Sequence, residues 1–158
     1  MFRIGFGNDI HRLVENRPLI LGGLLIPSKL GATGHSDADA LLHAVTDAIF
    51  GALALGDIGS HFSDKDPAWK NADSFVFLTE AMQMMKEKGF YVVNIDSTIS
   101  LETPKLRPHI DAMRENLARC LEINLDSVSV KAKTGENVDA VGENRAIKAE
   151  VVILLQSI

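Results

Sequence analysis

Hydrophobic and polar positions alternate along Arg3–Leu13, a period of two that predicts a strand, and the glycines inside it suggest close approach by another backbone. Leu19–Leu21 and Leu24–Ile26 flank Gly22-Gly23 and predict a small hairpin, followed by loop over Gly31–His35. The period then changes. Leu41, Leu42, Val45, Ile49 and Leu53 recur at helical spacing, so a helix is predicted to about Leu55, capped by Ser36 or Asp37. Gly56–Asn71 is a long polar loop of the kind that carries function. A helix is predicted over Asp73–Lys88, stopped by Gly89, then a strand over Tyr91–Leu101 and a turn over Glu102–Lys105. A helix over Pro108–Leu121 precedes strands over Val128–Lys133 and Ala146–Leu155, which are separated by the polar loop Thr134–Asn144. This order predicts an α/β fold (an α+β sandwich) with helices packed on one face of a mixed β-sheet. No Gly-rich dinucleotide or P-loop motif joins a strand to a helix.

Composition narrows this picture. The 158 residues fit one domain, residues 1–158, and 46% hydrophobic content suffices for a core. A net charge of -5 argues against non-specific nucleic-acid binding, yet leaves room for a phosphorylated ligand, since a bound metal and local cations can reverse the field of one pocket. The one cysteine, Cys120, permits no internal disulfide and reads as a structural thiol in a helix. No signal peptide or membrane span is recognisable, and Val151–Leu155, the longest apolar run, has strand length, so a cytoplasmic location is expected.

Candidate chemistry begins at Asp9-Ile10-His11. On a strand, Asp9 and His11 share a face and present a carboxylate and an imidazole side by side, a donor pair suited to zinc. Alone, such a pair is more often ordinary sheet-edge chemistry. His35–His43 places His35 and Ser36 near a helix start, where free N–H groups favour phosphate, and Asp39, His43 and Asp47 at i, i+4 spacing, where an Asp could fix the tautomer of a ligating His. Together, Asp9, His11 and His43 form a three-ligand set that leaves a coordination position open. In the loop after Gly56, Asp57 and Asp64 are candidate acceptors for hydroxyl groups. Lys105, Lys133 and Thr134 are candidate phosphate contacts, and Glu136 a candidate ligand for a hard cation such as Mg²⁺.

These segments, taken in order, resemble the 2-C-methyl-D-erythritol 2,4-cyclodiphosphate synthases. The matching stretches are Arg3–His11, His35–His43 (HSDADALLH), Gly56–Pro67 (GDIGSHFSDKDP), Asn94–Asp96, Pro104–Ile110 and Val130–Glu136, which span nearly the whole chain. The resemblance implies a homotrimer with active sites between subunits. It implies conversion of 4-diphosphocytidyl-2-C-methyl-D-erythritol 2-phosphate to the cyclic diphosphate, with release of CMP. It implies zinc on Asp9, His11 and His43, with Mg²⁺ or Mn²⁺ bridging the diphosphate beside Glu136, and His35 and Thr134 as transition-state stabilisers. Asp9, Ile10, His11, His35 and Ser36 then contact substrate, as do Asp57, Ile58, Gly59, Phe62, Ser63, Asp64, Lys65 and Asp66 on the methylerythritol side. Leu101, Glu102, Thr103, Pro104, Lys105, Leu106 and Arg107, with Lys133, Thr134, Gly135 and Glu136, fall on the cytidine and diphosphate side. The family also has a threefold cavity that can hold an isoprenoid diphosphate. Around Asn137–Arg145 this chain departs from the common bacterial pattern, with Glu143 and Arg145 in swapped order and Ala140 in place of an aromatic, which bears on that cavity's ligand. Two other readings remain open on the residues alone: a metal-dependent phosphohydrolase using a metal-bound water, and a non-catalytic diphosphate-binding module.

Overall fold

The computed structural model describes residues 1–158. Its centre is a five-stranded sheet in the order β4 (Leu30–Ala32), β1 (Phe2–Glu15), β7 (Ala146–Ser157), β5 (Phe90–Ser100) and β6 (Val128–Lys133). Only the β5–β6 pair is parallel, so the sheet is mixed as predicted. β2 (Leu19–Leu21) and β3 (Leu24–Ile26) form the separate hairpin. The helices α1 (Ala40–Ala52), α3 (Phe75–Glu87) and α4 (Ile110–Leu121) pack on one face. No helix is long and apolar enough to cross a membrane.

Several boundaries differ from the sequence reading. The cap of α1 is Asp39, whose Oδ1 accepts the Leu42 N–H at 3.0 Å, and the helix starts at Ala40. Ser36 and Asp37 have suitable side chains, but Asp39 wins because its carboxylate also accepts the Gly22 and Gly23 N–H groups of the hairpin turn, at 3.0 and 2.8 Å. Burial pushes its carboxyl up to about 6, although those three N–H groups pull the other way. His35 and Ser36 therefore sit in the preceding loop and not at the helix mouth. Part of the predicted Gly31–His35 loop is β4, a short edge strand on β1. The Gly56–Asn71 loop holds a short helix, α2 (Ile58–His61), and the Thr134–Asn144 loop holds α5 (Asp139–Gly142).

α1 lies directly on β1. A Cβ at Gly5 would fall 1.9 Å from the Ala48 carbonyl oxygen, and one at Gly7 would fall 2.0 Å from that of Ala44. Ala44 and Ala48 are fully buried, so small residues on both elements allow near backbone contact. Gly7→Ala forces helix and strand apart and is expected to destabilise the fold by about 3 kcal/mol. Urea unfolding measures this, and a midpoint unchanged from the parent would refute so close a contact.

Candidate metal centre and nucleotide cleft

β1 puts Gly5, Gly7, Asp9 and His11 on the face covered by α1, and α1 brings His43 to the same place. One donor atom from each of Asp9, His11 and His43 lies within 4.8 Å of the others. Asp9 Oδ2 is 2.6 Å from His11 Nε2 and 3.3 Å from His43 Nδ1, and the two nitrogens are 3.3 Å apart. The remaining ring nitrogens are engaged elsewhere. His11 Nδ1 lies 3.1 Å from the Thr33 carbonyl, which can only accept, so Nδ1 carries the proton and Nε2 the lone pair. His43 Nε2 lies 3.0 Å from Ser36 Oγ and 2.9 Å from Ser74 Oγ.

Asp9 Oδ2 and the His11 Nε2 lone pair thus face one point, with His43 Nδ1 beside them, and the buried Asp9 Oδ2 has no hydrogen-bond partner. Burial alone would raise the Asp9 carboxyl, but His11 and His43 hold it below its ordinary value. Burial works to lower the His11 imidazole, and Asp9, with the Thr33 carbonyl, carries it above its ordinary value. Both shifts say that this pocket favours positive charge beside Asp9. A mixed Asp/His/His donor set fits a divalent cation of the zinc type, with a coordination position left for a ligand.

The other predicted residues divide into two groups. His35 stands beside the triad loop, its Nε2 2.8 Å from the Asp66 carbonyl. Asp57 caps α2 by accepting the Ser60 hydroxyl and N–H, bonds that hold its exposed carboxyl below the ordinary range. Ile58, Gly59, Ser63, Asp64 and Lys65 line the same exposed or half-exposed loop, while Phe62 packs on Trp69 and Phe77. The second group lies elsewhere. Leu101, Pro104, Lys105, Leu106, Arg107, Lys133 and Thr134 line a cleft of about 710 Å³ between β6 and the start of α4, which none of Asp9, His11, His35 or His43 reaches. Glu102 closes the turn by accepting the Gly135 N–H at 2.8 Å, and Glu136 is exposed, 3.2 Å from Thr134 Oγ1. Thr103 donates to Asn144. Ile10 is the exception, because its side chain emerges on the opposite sheet face, 60% exposed.

The expected partners of His43, Asp39 and Asp47, are engaged elsewhere. Asp39 serves Gly22, Gly23 and Leu42, and Asp47 accepts the Ile58 N–H at 3.0 Å. The residues that touch His43 Nε2 are Ser36 and Ser74; a serine at the head of the predicted Asp73–Lys88 helix was the one trace of Ser74 in the sequence.

The YgbB family model matches residues 2–156. The chain belongs to the YgbB family. Among its relatives is the 2-C-methyl-D-erythritol 2,4-cyclodiphosphate synthase of Burkholderia lata, 56% identical over 98% of this chain and 96% of its own length. A solved 2C-methyl-D-erythritol-2,4-cyclodiphosphate synthase, 44% identical, superposes with a TM-score of 0.91 over 98% of this chain and 100% of its own, and a form with CDP bound matches equally well. The bifunctional IspDF of Campylobacter jejuni, 37% identical with a TM-score of 0.95, covers this whole chain, which spans 43% of that longer one. Family membership agrees with the resemblance read from the motifs.

If the triad holds a cation, zinc at about a hundred times its dissociation constant adds roughly 2.7 kcal/mol of stability, which for a chain of this size corresponds to about 5–10 °C. Calorimetric melting of chelator-treated protein with and without zinc should show that rise, and His43→Ala should abolish it. An equal rise in the variant would exclude His43 as a ligand.

Proposed function

We propose that residues 1–158 act as one cyclodiphosphate synthase domain, a phosphorus–oxygen lyase of non-mevalonate isoprenoid biosynthesis working in the cytoplasm. It converts 4-diphosphocytidyl-2-C-methyl-D-erythritol 2-phosphate to 2-C-methyl-D-erythritol 2,4-cyclodiphosphate and CMP. The observation that carries the reading is the convergence of Asp9, His11 and His43 lone pairs on one point, in a chain whose family relatives bear that enzyme's name.

In the reaction an oxygen of the 2-phosphate attacks the β-phosphorus, a new P–O bond closes the ring, and the bond from the β-phosphorus to the bridging oxygen breaks, leaving that oxygen and its electron pair on CMP. Zinc at Asp9, His11 and His43, and Mg²⁺ or Mn²⁺ shared by Glu136 and phosphate oxygens, would supply positive charge to the diphosphate as negative charge shifts onto CMP. The chain's own groups position the reactants. Thr134, beside the cleft, donates a hydrogen bond to a phosphoryl oxygen, and His35 does so by turning to substrate the Nε2 hydrogen that rests on the Asp66 carbonyl in the free chain. Ser36, buried with its hydroxyl on His43 Nε2, contacts substrate beside His35. Asp57, Ile58, Gly59 and Phe62–Asp66 hold the methylerythritol. Leu101–Arg107, with Lys133–Glu136, hold the cytidine and its phosphates. No side-chain nucleophile is needed, because the nucleophile belongs to the substrate.

A homotrimer completes the site. Its support is twofold: the triad and the cleft stand apart within one chain, and the sheet face away from the helices carries an apolar patch on β1 and β7, beside polar positions such as Asn8, Asp96 and Glu150. Phe2, Ile4, Phe6, Ile10 and Val152 are exposed there, with Ile4 opposite Leu154 and Phe6 opposite Val152 across the β1–β7 ladder. Three such faces meeting on an axis would cover this surface and bring one subunit's cleft to its neighbour's triad. They would also enclose the cavity in which an isoprenoid diphosphate would lie, beside the altered loop at Asn137–Arg145.

Two measurements test the reading. Phosphorus NMR of substrate with protein, Zn²⁺ and Mg²⁺ should show the cyclic diphosphate and CMP. Inorganic phosphate or a linear product would instead favour the phosphohydrolase. Sedimentation equilibrium should give three times the 17.2 kDa chain mass, and a monomeric particle would refute the shared site.

A further inference from the structure

We infer that Ser74, itself fixed by Asp37, is a positioning residue that sets the tautomer and orientation of His43, and that it governs how tightly the centre binds its cation. The inference deepens the metal-centre reading and rests on it. Hydrogen-atom accounting carries it. Asp37 is an acceptor with both oxygens in use: Oδ1 takes the Asp39 N–H at 3.1 Å, and Oδ2 takes the Ser74 N–H at 3.0 Å. The contact between Ser74 Oγ and Asp37 Oδ1 therefore uses the one hydroxyl hydrogen of Ser74. With that hydrogen spent, Ser74 Oγ can only accept from His43 Nε2, 2.9 Å away. Nε2 must then carry the ring hydrogen, and Nδ1 presents its lone pair toward Asp9 Oδ2.

Ser36 cannot set this direction alone. Its Oγ is 3.0 Å from Nε2 and accepts the Ala38 N–H at 3.3 Å, but its own hydrogen has no carboxylate to hold it. A free hydroxyl can rotate to donate to Nε2 and would then tolerate the opposite tautomer. Ser74 is fully buried and, with Asp37, joins the start of α3 to the loop before α1. The orientation of His43 is thus held from a segment 31 residues away. The arrangement is a carboxylate–hydroxyl–imidazole chain, a longer form of the outer partners that orient metal-bound histidines.

The experiment measures zinc affinity by competition with a chromophoric chelator, together with the melting temperature of the metal-free protein. Ser74→Ala should bind zinc about 10–100-fold more weakly, the range for loss of an orienting partner. Ser74→Thr, which keeps the hydroxyl, should restore affinity. Asp73→Ala is the structural control, since it removes a neighbouring bond at the start of α3, from the Phe75 N–H, without touching His43. It should lower the melting temperature and leave affinity near the parent's. Ser74→Ala binding zinc as tightly as the parent overturns the inference. So does Ser74→Thr binding as weakly as Ser74→Ala, or Asp73→Ala losing as much affinity as Ser74→Ala. A parent protein that binds no zinc overturns the metal centre itself, and the inference with it.

Discussion

The near contact of α1 with β1 is the constraint on which the rest depends. Gly5 and Gly7 leave room for the Ala48 and Ala44 carbonyls, and the matching is metrical. Two strand residues advance about 6.6 Å, and four helix residues about 6 Å. Strand and helix therefore stay in step while running in opposite directions. One more step along β1 from Gly7 reaches Asp9, and one more helix step reaches Ala40, in the turn that carries His43. The small residues are structural, but they determine where the chemical ones meet. Bulkier side chains at Gly5 or Gly7 would separate Asp9 and His11 from His43 before altering any ligand.

That constraint fixes the distance between ligands and leaves their direction to hydrogen bonds. His11 is turned by the Thr33 carbonyl, adjoining β4, and His43 by Ser36 and Ser74. Asp39 does a different task, stitching the Gly22-Gly23 turn to the first turn of α1 with one carboxylate. The loop residues before α1 thus alternate in purpose. Ser36 faces His43 of the candidate metal centre, Asp37 grips α3, and Asp39 grips the hairpin. This density of assignments explains why the local sequence is so polar yet largely buried or half-buried.

Much of this was legible where one local rule sufficed. Strand alternation placed Asp9 and His11 on one face, and helical spacing placed His43 on a helix. What was not legible depended on tertiary partners. Ser36, Asp37 and Asp39 are all good capping types, and the choice among them was made by N–H groups of Gly22 and Gly23, distant in sequence. Asp39 and Asp47 have the right helical spacing to orient His43 but are drawn off by the hairpin and by Ile58. Ser74 has no sequence relation to His43 at all. β4 is too short to give a period, so it read as loop.

β1 also divides two purposes by parity. Its odd positions, Gly5, Gly7, Asp9 and His11, face the helices, and the last two belong to the candidate metal centre. Among its even positions, Phe2, Ile4, Phe6 and Ile10 face outward with Asn8 and Arg12 and supply the apolar part of the surface of the proposed trimer. Because side chains alternate strictly along a strand, a one-residue slip would exchange the two sets completely. It would bury Phe6 against α1 and expose Asp9 on the outer face. Register in this strand is therefore held twice, once by the glycine contacts beneath α1 and once by the apolar pairs with β7. The register that brings Asp9 and His11 to His43 is thus the one that presents the surface of the proposed trimer.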